Sequence, residues 1–501
     1  MTIVGLEAPL SVCNAENVPF HFPVPSTTLL SNAERKLLVH LGKTKRTIVV
    51  IVRAKVRFFD GFPELKENMP KDAALVALVP GSSKAHIKPE VADLFDLIVF
   101  GDEVTVGSYM SNFGRRTNRL PALGTFASEL AQLVPKEKIS MFSADEALIM
   151  DVCRVKQQFG FEGVYMEDIA HLHRKELIAH IAEQAGVPIP KTIFIDFSLR
   201  QNKEETISKI MTTIPKFPMF AKPSWMCGSF GTARLDCEAD IAAWFDALSN
   251  DENPTVVLQD FEFNLEISVQ SFVIQEYVEG REFQVLTVLL QDGSWVPFGV
   301  KYMPNIGFYD ALRKGKPMVS IVEPFETANR GQFPNVYSFA KRVIEAFAPP
   351  HPHVFMIQGF QTRAGCDEYS LAEFDYRVSG VVANATMYDS CGVDQYTAMA
   401  LTHLDPHYYP KLSPDWKPKI QCSIWYYNTK GVVRSHNDVP SKPEISGSVK
   451  ATWYAQPGTK LSHAVRTQNA TVSLILESDS EAERDRDAKW ICDNWTPDME
   501  S

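Results

Sequence analysis

The chain of 501 residues has no uninterrupted apolar run near the ~18 residues that a membrane-spanning helix needs. No basic stretch followed by an apolar core opens it, so neither a signal peptide nor a membrane partner is expected. A positive excess is missing too. The formal charge of −11 argues against the broad basic face of a nucleic-acid binder, yet it leaves room for a local positive pocket. The eight cysteines (Cys13, Cys153, Cys227, Cys237, Cys366, Cys391, Cys422 and Cys492) contain no CxxC and no close pair. Scattered thiols of this kind suit a reduced, cytoplasmic protein better than a disulfide framework. His171 with His173, and His351 with His353, lack the cysteines that would make them zinc ligands. Without secretion, the triplets at Asn384 and Asn469 match the glycosylation pattern by chance. Internal repeats and low-complexity tracts are absent. What is present is an ordinary globular composition, long enough for about three domains.

Residues 1 to 40 read as an irregular, proline-rich arm. Thr47–Arg53, Ala74–Val79 and Leu94–Gly101 are short continuous apolar runs, the pattern of strands buried on both faces of a parallel sheet. Residues 103–123 give no clear pattern. Glu146–Phe159 reads as a helix and Gly163–Met166 as a further strand, which makes residues 1–165 an open α/β domain. Leu177, Ile178, Ile181, Ala182 and Ala185 then share one helical stripe, with Lys175 at its start and Gly186, Pro188 and Pro190 ending it. Strand and helix alternate from Thr192 to Tyr277. Asp292-Gly293 marks a hairpin, and Ala364-Gly365 lies near the bend of a second one between His353–Thr362 and Glu368–Val378. Near the end, Thr471–Leu476 is a strand, and Ser480 with Glu483 caps a charged, solvated helix.

Two stretches carry chemistry. Met219–Thr232 reads as a strand bearing Lys222, followed by a loop of small residues with Ser224, Gly228, Ser229, Gly231 and Thr232. Such a loop can turn several backbone N–H groups onto one phosphate, with the Lys222 charge at its edge. A plain Gly/Ser hairpin turn would have the same composition. In Tyr369–Arg377, side chains alternate with period two, so Glu373, Asp375 and Arg377 share one face while Ala372, Phe374 and Tyr376 take the other. Two adjacent carboxylates repel unless a cation joins them, and Mg²⁺ prefers one or two carboxylates plus phosphates and waters. Arg377 would add a planar fork of donors for a phosphoryl or carboxylate group. A solvated strand face would also alternate charged and apolar residues.

The order of these pieces resembles the ATP-grasp ligases over residues 160–395. Lys175 and Lys222 match the two ATP-binding lysines of that family, and the segment with Ser229, Phe230 and Gly231 matches its flexible phosphate loop. Gln275-Glu276-Tyr277-Val278 resembles the hinge whose backbone and first side chain meet adenine, with Gln275 where the family usually has Glu. Glu282 matches the acid that holds the ribose hydroxyls. Glu373-Phe-Asp375-Tyr-Arg377 resembles the metal motif Glu-x-Asn-x-Arg. Asp375 replaces the usual Asn, and the other metal acid, on the partner strand, falls at Gln358, or near Gln361 if the register shifts. Residues 396–501 resemble the closing subdomain of biotin-carboxylase-like and carnosine-synthase-like members.

The resemblance implies an α/β chain, α+β in its catalytic part. It would have an N-terminal parallel-sheet domain (1–165), an ATP-grasp core (166–395) and a small C-terminal α+β subdomain (396–501). It further implies ATP with Mg²⁺, or Mn²⁺ as the alternative ion. The partners would be a small carboxylate and an amine, with no nucleic acid and no membrane, and a homodimer as the commonest assembly. The expected activity is a carboxylate–amine ligase working through an acyl phosphate, with Lys222 and Arg377 as catalytic groups. Lys301 and the basic run Arg313–Lys316 are further candidates for a second substrate, or solvated charge. A nucleotide-binding protein without turnover, and an ATP-grasp carboxylase or kinase, are the competing readings.

Overall fold

A computed structural model describes residues 28–53, 62, 64–101, 122–197, 199, 201–225, 229, 231–248, 256–260, 265–269, 271–412, 416–464 and 469–500. Strands β1 (Thr47–Val52), β2 (Ala73–Pro80), β3 (Leu97–Gly101) and β4 (Ile139–Ser143) form a parallel sheet in the order β3-β2-β1-β4. Its apolar runs are continuous because both faces are covered. Ile48, Val50 and Val52 pack under the helices Asn32–Thr44, Ala122–Leu133 and Glu146–Phe159. Val49 and Ile51 meet the helix Gln395–Leu404 on the other side.

Two sequence expectations need correction here. Residues 32–40 are helical, not irregular: the Ser31 hydroxyl accepts from the Glu34 N–H, and the Glu34 carboxylate accepts from the Ser31 N–H. That reciprocal Ser-x-x-Glu cap was visible in the sequence. Gly163–Met166 forms no strand. Gly163 has φ 118°, and Met166 begins the helix Met166–His173, whose first turn is closed by the Tyr165 N–H donating to Asp168.

The second sheet, β5 (Thr192–Asp196), β6 (Met219–Pro223), β7 (Ala233–Leu235) and β10 (Ser271–Glu276), is antiparallel in the order β5-β10-β6-β7. Between its last two members in the chain lies the hairpin of β8 (Val256–Asp260) and β9 (Leu265–Val269). Met219, Ala221, Phe272 and Ile274 face the helices Lys203–Thr213 and Glu238–Leu248. Period two therefore turns Phe220, Lys222, Val273 and Gln275 the opposite way.

The largest sheet contains β11 (Arg281–Leu289), β12 (Trp295–Tyr302), β13 (Met318–Pro324), β14 (His353–Gln361), β15 (Tyr369–Asp375), β16 (Ile420–Tyr427), β18 (Ser448–Trp453) and β20 (Ala470–Ser478). It is antiparallel throughout, in the order β15-β14-β11-β12-β13-β16-β20-β18, so it runs continuously across residue 395. A small sheet of β17 (Gly431–Ser435), β19 (Lys460–Leu461) and β21 (Asp498–Glu500) completes the C-terminal part. The expected Asp292-Gly293 hairpin joins β11 to β12, with Gly293 at φ 83° and the Asp292 carboxylate accepting from the Ser294 N–H. On one face Phe283, Val285, Ile357 and Phe374 pack under the helix Val336–Phe347. The other face starts with Glu282, Gln284, Gln358 and Glu373. It continues into the core through Leu286, Val288 and Met356. Among the described residues, no helix is long and apolar enough to cross a membrane, and the six described cysteines are unpaired.

Candidate active site

The polar face of the second sheet and the polar end of the largest sheet enclose a cleft of about 1050 Å³, open solvent at its mouth included. Both walls follow from strand alternation. Lys222 of β6 lies opposite Val273 of β10, and Gln275 lies between Phe220 and Thr192. Across the gap, a row runs over four strands as Lys301, Gln284, Gln358 and Glu373, each opposite the next. Lys175, the first residue of the helix Lys175–Gln184, is tied to the Lys222 strand because its N–H donates to the Ser224 carbonyl at 3.1 Å.

Lys175, Lys222, Ser229, Gln275, Glu276, Val278, Glu282 and Glu373 all line this cleft. Ser229 and Gly231 adopt left-handed backbones, at φ 62° and 67°. Phe230 lies outside the described residues, as does much of the expected phosphate loop. Asp375 and Arg377 do not line the cleft directly. β15 ends at Asp375, and the Arg377 N–H folds back onto the Asp375 carbonyl at 2.8 Å, so Arg377 is not the next residue of a strand face. Its guanidinium lies 3.3 Å from the Asp375 carboxylate and donates to the Val378 carbonyl.

A bulge between Gln358 and Gly359 corrects a second detail: Ala372 sits beside Glu373 on the cleft wall, while Leu371 and Phe374 enter the core. The same register places Gln358, not Gln361, opposite Glu373. Gln361 is fully buried, with its amide donating to the Gln332 and Cys366 carbonyls.

Charges converge on this cleft. The Lys175 ammonium stands 3.6 Å from the Glu373 carboxylate. Burial pulls the Lys222 ammonium below its usual range, opposed by the nearby Glu373 and Glu282 carboxylates. Burial likewise brings Lys301 down to about 8, with Glu282, Arg377 and Asp375 as its charged neighbours. Lys301 is 8% exposed and buried beside the Glu282 side of the cleft without lining it, whereas Arg313, Lys314 and Lys316 face solvent. Glu282 is pushed up to about 7 by burial, although the Phe308 N–H and the Gln358 amide both donate to its carboxylate. Gly307 must be small: a Cβ there would come within 2.9 Å of that carboxylate.

Sequence reasoning missed the aromatic side of the cleft. Phe220, Tyr277, Phe308, Tyr309 and Phe360 line it, with Phe220 stacked on Tyr277 at 5.5 Å and edge-on to Tyr309 at 4.6 Å. Phe220 was deducible, since it lies two residues from Lys222 on the same strand. The side chain of Gln275 is pinned by its amide to the Thr192 hydroxyl at 3.0 Å. The Glu276 and Tyr277 N–H groups bond the Lys191 and Pro218 carbonyls. The Val278 N–H has no partner among the described residues, and Val278 lines the cleft.

No protein-family model matches the chain, and no curated protein matches it. Solved structures do resemble it. An L-amino acid ligase from Bacillus licheniformis superposes with a TM-score of 0.57 at 11% identity, over 90% of this chain and 98% of that one. A carboxyaminoimidazole ribonucleotide synthase from Aspergillus clavatus, complexed with ATP, gives 0.55 at 13% over 90% and 98%. The biotin carboxylase domain of the Hydrogenobacter thermophilus 2-oxoglutarate carboxylase, with MgADP and bicarbonate, gives 0.52 at 11% over 91% of each chain. The chain has the ATP-grasp fold.

The cleft carries a cost that can be measured. Glu282 has a folded value of about 7 against an ordinary 4.5, so its protonated form is favoured by folding. The penalty is absent below about pH 4.5, grows as pH rises, and is complete above about pH 7 at up to ~3 kcal/mol. Glu282→Gln is therefore expected to raise the melting temperature of the nucleotide-free protein by a few degrees at pH 8, with the gain vanishing near pH 4.5. Thermal unfolding of both proteins across that range checks it, and a parent more stable at pH 8 would refute it.

Proposed function

We propose that the chain is an ATP- and Mg²⁺-dependent carboxylate–amine ligase acting on an amino acid or a small carboxylic acid. The observation that carries this reading is the meeting of two cations, Lys175 and Lys222, with Glu282 and Glu373 on the walls of one cleft, while Lys301 and the Arg377–Asp375 pair stand just behind that wall. A carboxylate and a triphosphate are both anionic, and such a concentration of positive charge lets them approach.

In this reading the aromatic slot and Gln275, Glu276 and Val278 take the adenine, and Glu282 holds the ribose hydroxyls. Lys175, Lys222 and the loop with Ser229, Phe230 and Gly231 hold the phosphates. A carboxylate oxygen attacks the γ-phosphorus and ADP leaves. The amine then attacks the acyl carbon, phosphate departs, and the nitrogen loses a proton. Lys301 steadies the carboxylate substrate, and Arg377 the acyl phosphate and the tetrahedral intermediate. No group of three or more metal-binding side chains is assembled among the described residues. Glu373 and Asp375 alone fit an ion that arrives with the triphosphate, since Mg²⁺ takes one or two carboxylates plus phosphates and waters. Such an ion would neutralise charge on the phosphate oxygens. Unpaired thiols suit a cytoplasmic setting.

One observation favours a second reading, a protein that binds nucleotide without turnover. Gln358 occupies the family's acid position, and its amide donates to Glu282 at 2.5 Å, leaving one acid fewer for metal.

The test is ADP release with ATP and Mg²⁺ across amino acids and small acids, singly and in pairs. Release that requires one carboxylate and one amine supports the ligase. A melting temperature raised by ATP, with no pair eliciting ADP, supports the second reading and overturns the first.

A further inference from the structure

A second cavity lies outside the nucleotide cleft, where β4 and the helix Glu146–Phe159 meet the ends of β14 and β15. It holds about 520 Å³ of space, open solvent at its mouth included. Three buried or half-buried basic side chains from distant parts of the chain line it: Lys156, His353 at the start of β14, and His403 in the helix Gln395–Leu404.

None of the three is satisfied in the way a packed residue should be. Lys156 is 5% exposed and has neither a hydrogen bond nor an ion pair to any described residue. The carboxylate that acts on it, Asp168, already accepts from the Tyr165 N–H. His353 is also 5% exposed, and its ring lies flat on Tyr376 at 3.9 Å, with Nε2 unpartnered. His403 stacks on Phe142 at 4.5 Å and shares a hydrogen bond between Nδ1 and the Ser140 hydroxyl, again with Nε2 unpartnered. The two rings stand perpendicular, 6.4 Å apart. A buried ammonium without a counter-charge opposes folding, and a methionine would fill the same space at lower cost. Keeping Lys156 there, together with two buried and unpartnered imidazole nitrogens, makes sense if something anionic joins them.

We propose that this cavity is a second ligand site, which takes a small oxyanion the size of phosphate or a carboxylate between the Lys156 ammonium and the Nε2 atoms of His353 and His403. Charge-assisted hydrogen bonds from an ammonium and imidazoles are the usual means of holding such a group. The neighbouring titratable groups are Cys153, His173, Asp168 and Tyr376, with Glu162 and His351 at the mouth. Burial lifts Cys153 to about 11, so it stays a neutral thiol and does not compete as an anion. Burial and the neighbouring Lys156 also hold both imidazoles neutral when the site is empty. An anion reverses that balance, so affinity rises as pH falls. The site also touches the catalytic strands. His353 precedes Gln358 by five residues on β14, and Tyr376 directly follows Asp375.

The test follows the histidine ring Cε1–H resonances of the full chain with inorganic phosphate, and separately with acetate. His353→Gln and His403→Gln supply the assignments. The His353 and His403 signals should move together along one saturation curve, more tightly near pH 6 than near pH 8. Whichever anion saturates at lower concentration names the source. Lys156→Met should weaken the response at least tenfold while melting no lower than the parent, an outcome opposite to that of a structural lysine. If that variant does not fold, His403→Gln must weaken the response of His353 instead. Resonances that ignore both anions into the tens of millimolar, or that respond equally without Lys156, overturn the proposal.

Discussion

Lys222→Met is expected to lower ADP formation by about 10³-fold, the scale lost when an oriented charge is removed from a transferring phosphoryl group. The chain should fold as before. The β6 backbone that carries Lys222 is held by its ladder to β10 and by Met219 and Ala221 in the core behind it, none of which involves the ammonium. Methionine matches the length of the stem. A lysine whose folded value is lowered contributes full stability only above its unfolded value, and loses it as pH falls. At neutral pH, Lys222 therefore costs the empty protein stability, and the variant should melt at the same temperature or higher. Adding nucleotide should reverse that order, because the parent ammonium then gains its anionic partner. Steady-state turnover, nucleotide calorimetry and melting curves of both proteins check the three parts. A marked fall in melting temperature without nucleotide would mean that Lys222 serves as a structural counter-ion to Glu373 and Glu282.

What could be read in advance depended on whether the signal was local. Alternation along one strand put Glu373 on the cleft side, the strand reading of Met219–Pro223 carried Lys222, and the family resemblance supplied Gln275; all three line the cleft. Lys175 was legible as the start of an amphipathic helix, and the runs from Thr47, Ala74 and Leu94 as buried parallel strands, the third of which begins at Leu97. Features set by a partner strand were not legible. The bulge at Gln358/Gly359, which moves Ala372 to the cleft side, exists only in the pairing of β14 with β15. The return of Arg377 onto Asp375 depends on where that ladder stops. The aromatic slot draws on Phe220, Tyr277, Tyr309 and Phe360 from four separate segments, and no single stretch announces it. Likewise, no local pattern in residues 420–478 says that they extend the sheet begun at Arg281.

Glu373→Gln should divide two properties that a purely structural residue would change together. Glu373 lines the cleft with Lys175 3.6 Å away, and Asp375, two residues along the same strand and off the cleft wall, has Arg377 at 3.3 Å. Neutralising Glu373 leaves the cations in excess, so ATP without magnesium should bind as tightly as before or more so. Turnover should nevertheless fall by about 10²–10³-fold, and the magnesium needed for half-maximal rate should rise, because a carboxylate is the preferred oxygen ligand. The opposite change, Gln358→Glu, should ease the magnesium requirement. It should also lower the melting temperature of the empty protein, because a carboxylate at 358 replaces the amide that donates to Glu282 at 2.5 Å with a like charge. Rates against magnesium concentration, with and without the two changes, separate a metal-holding face from a mere ion pair. If Glu373→Gln weakens magnesium-free ATP binding and leaves the magnesium dependence unmoved, Glu373 acts only to position Lys175.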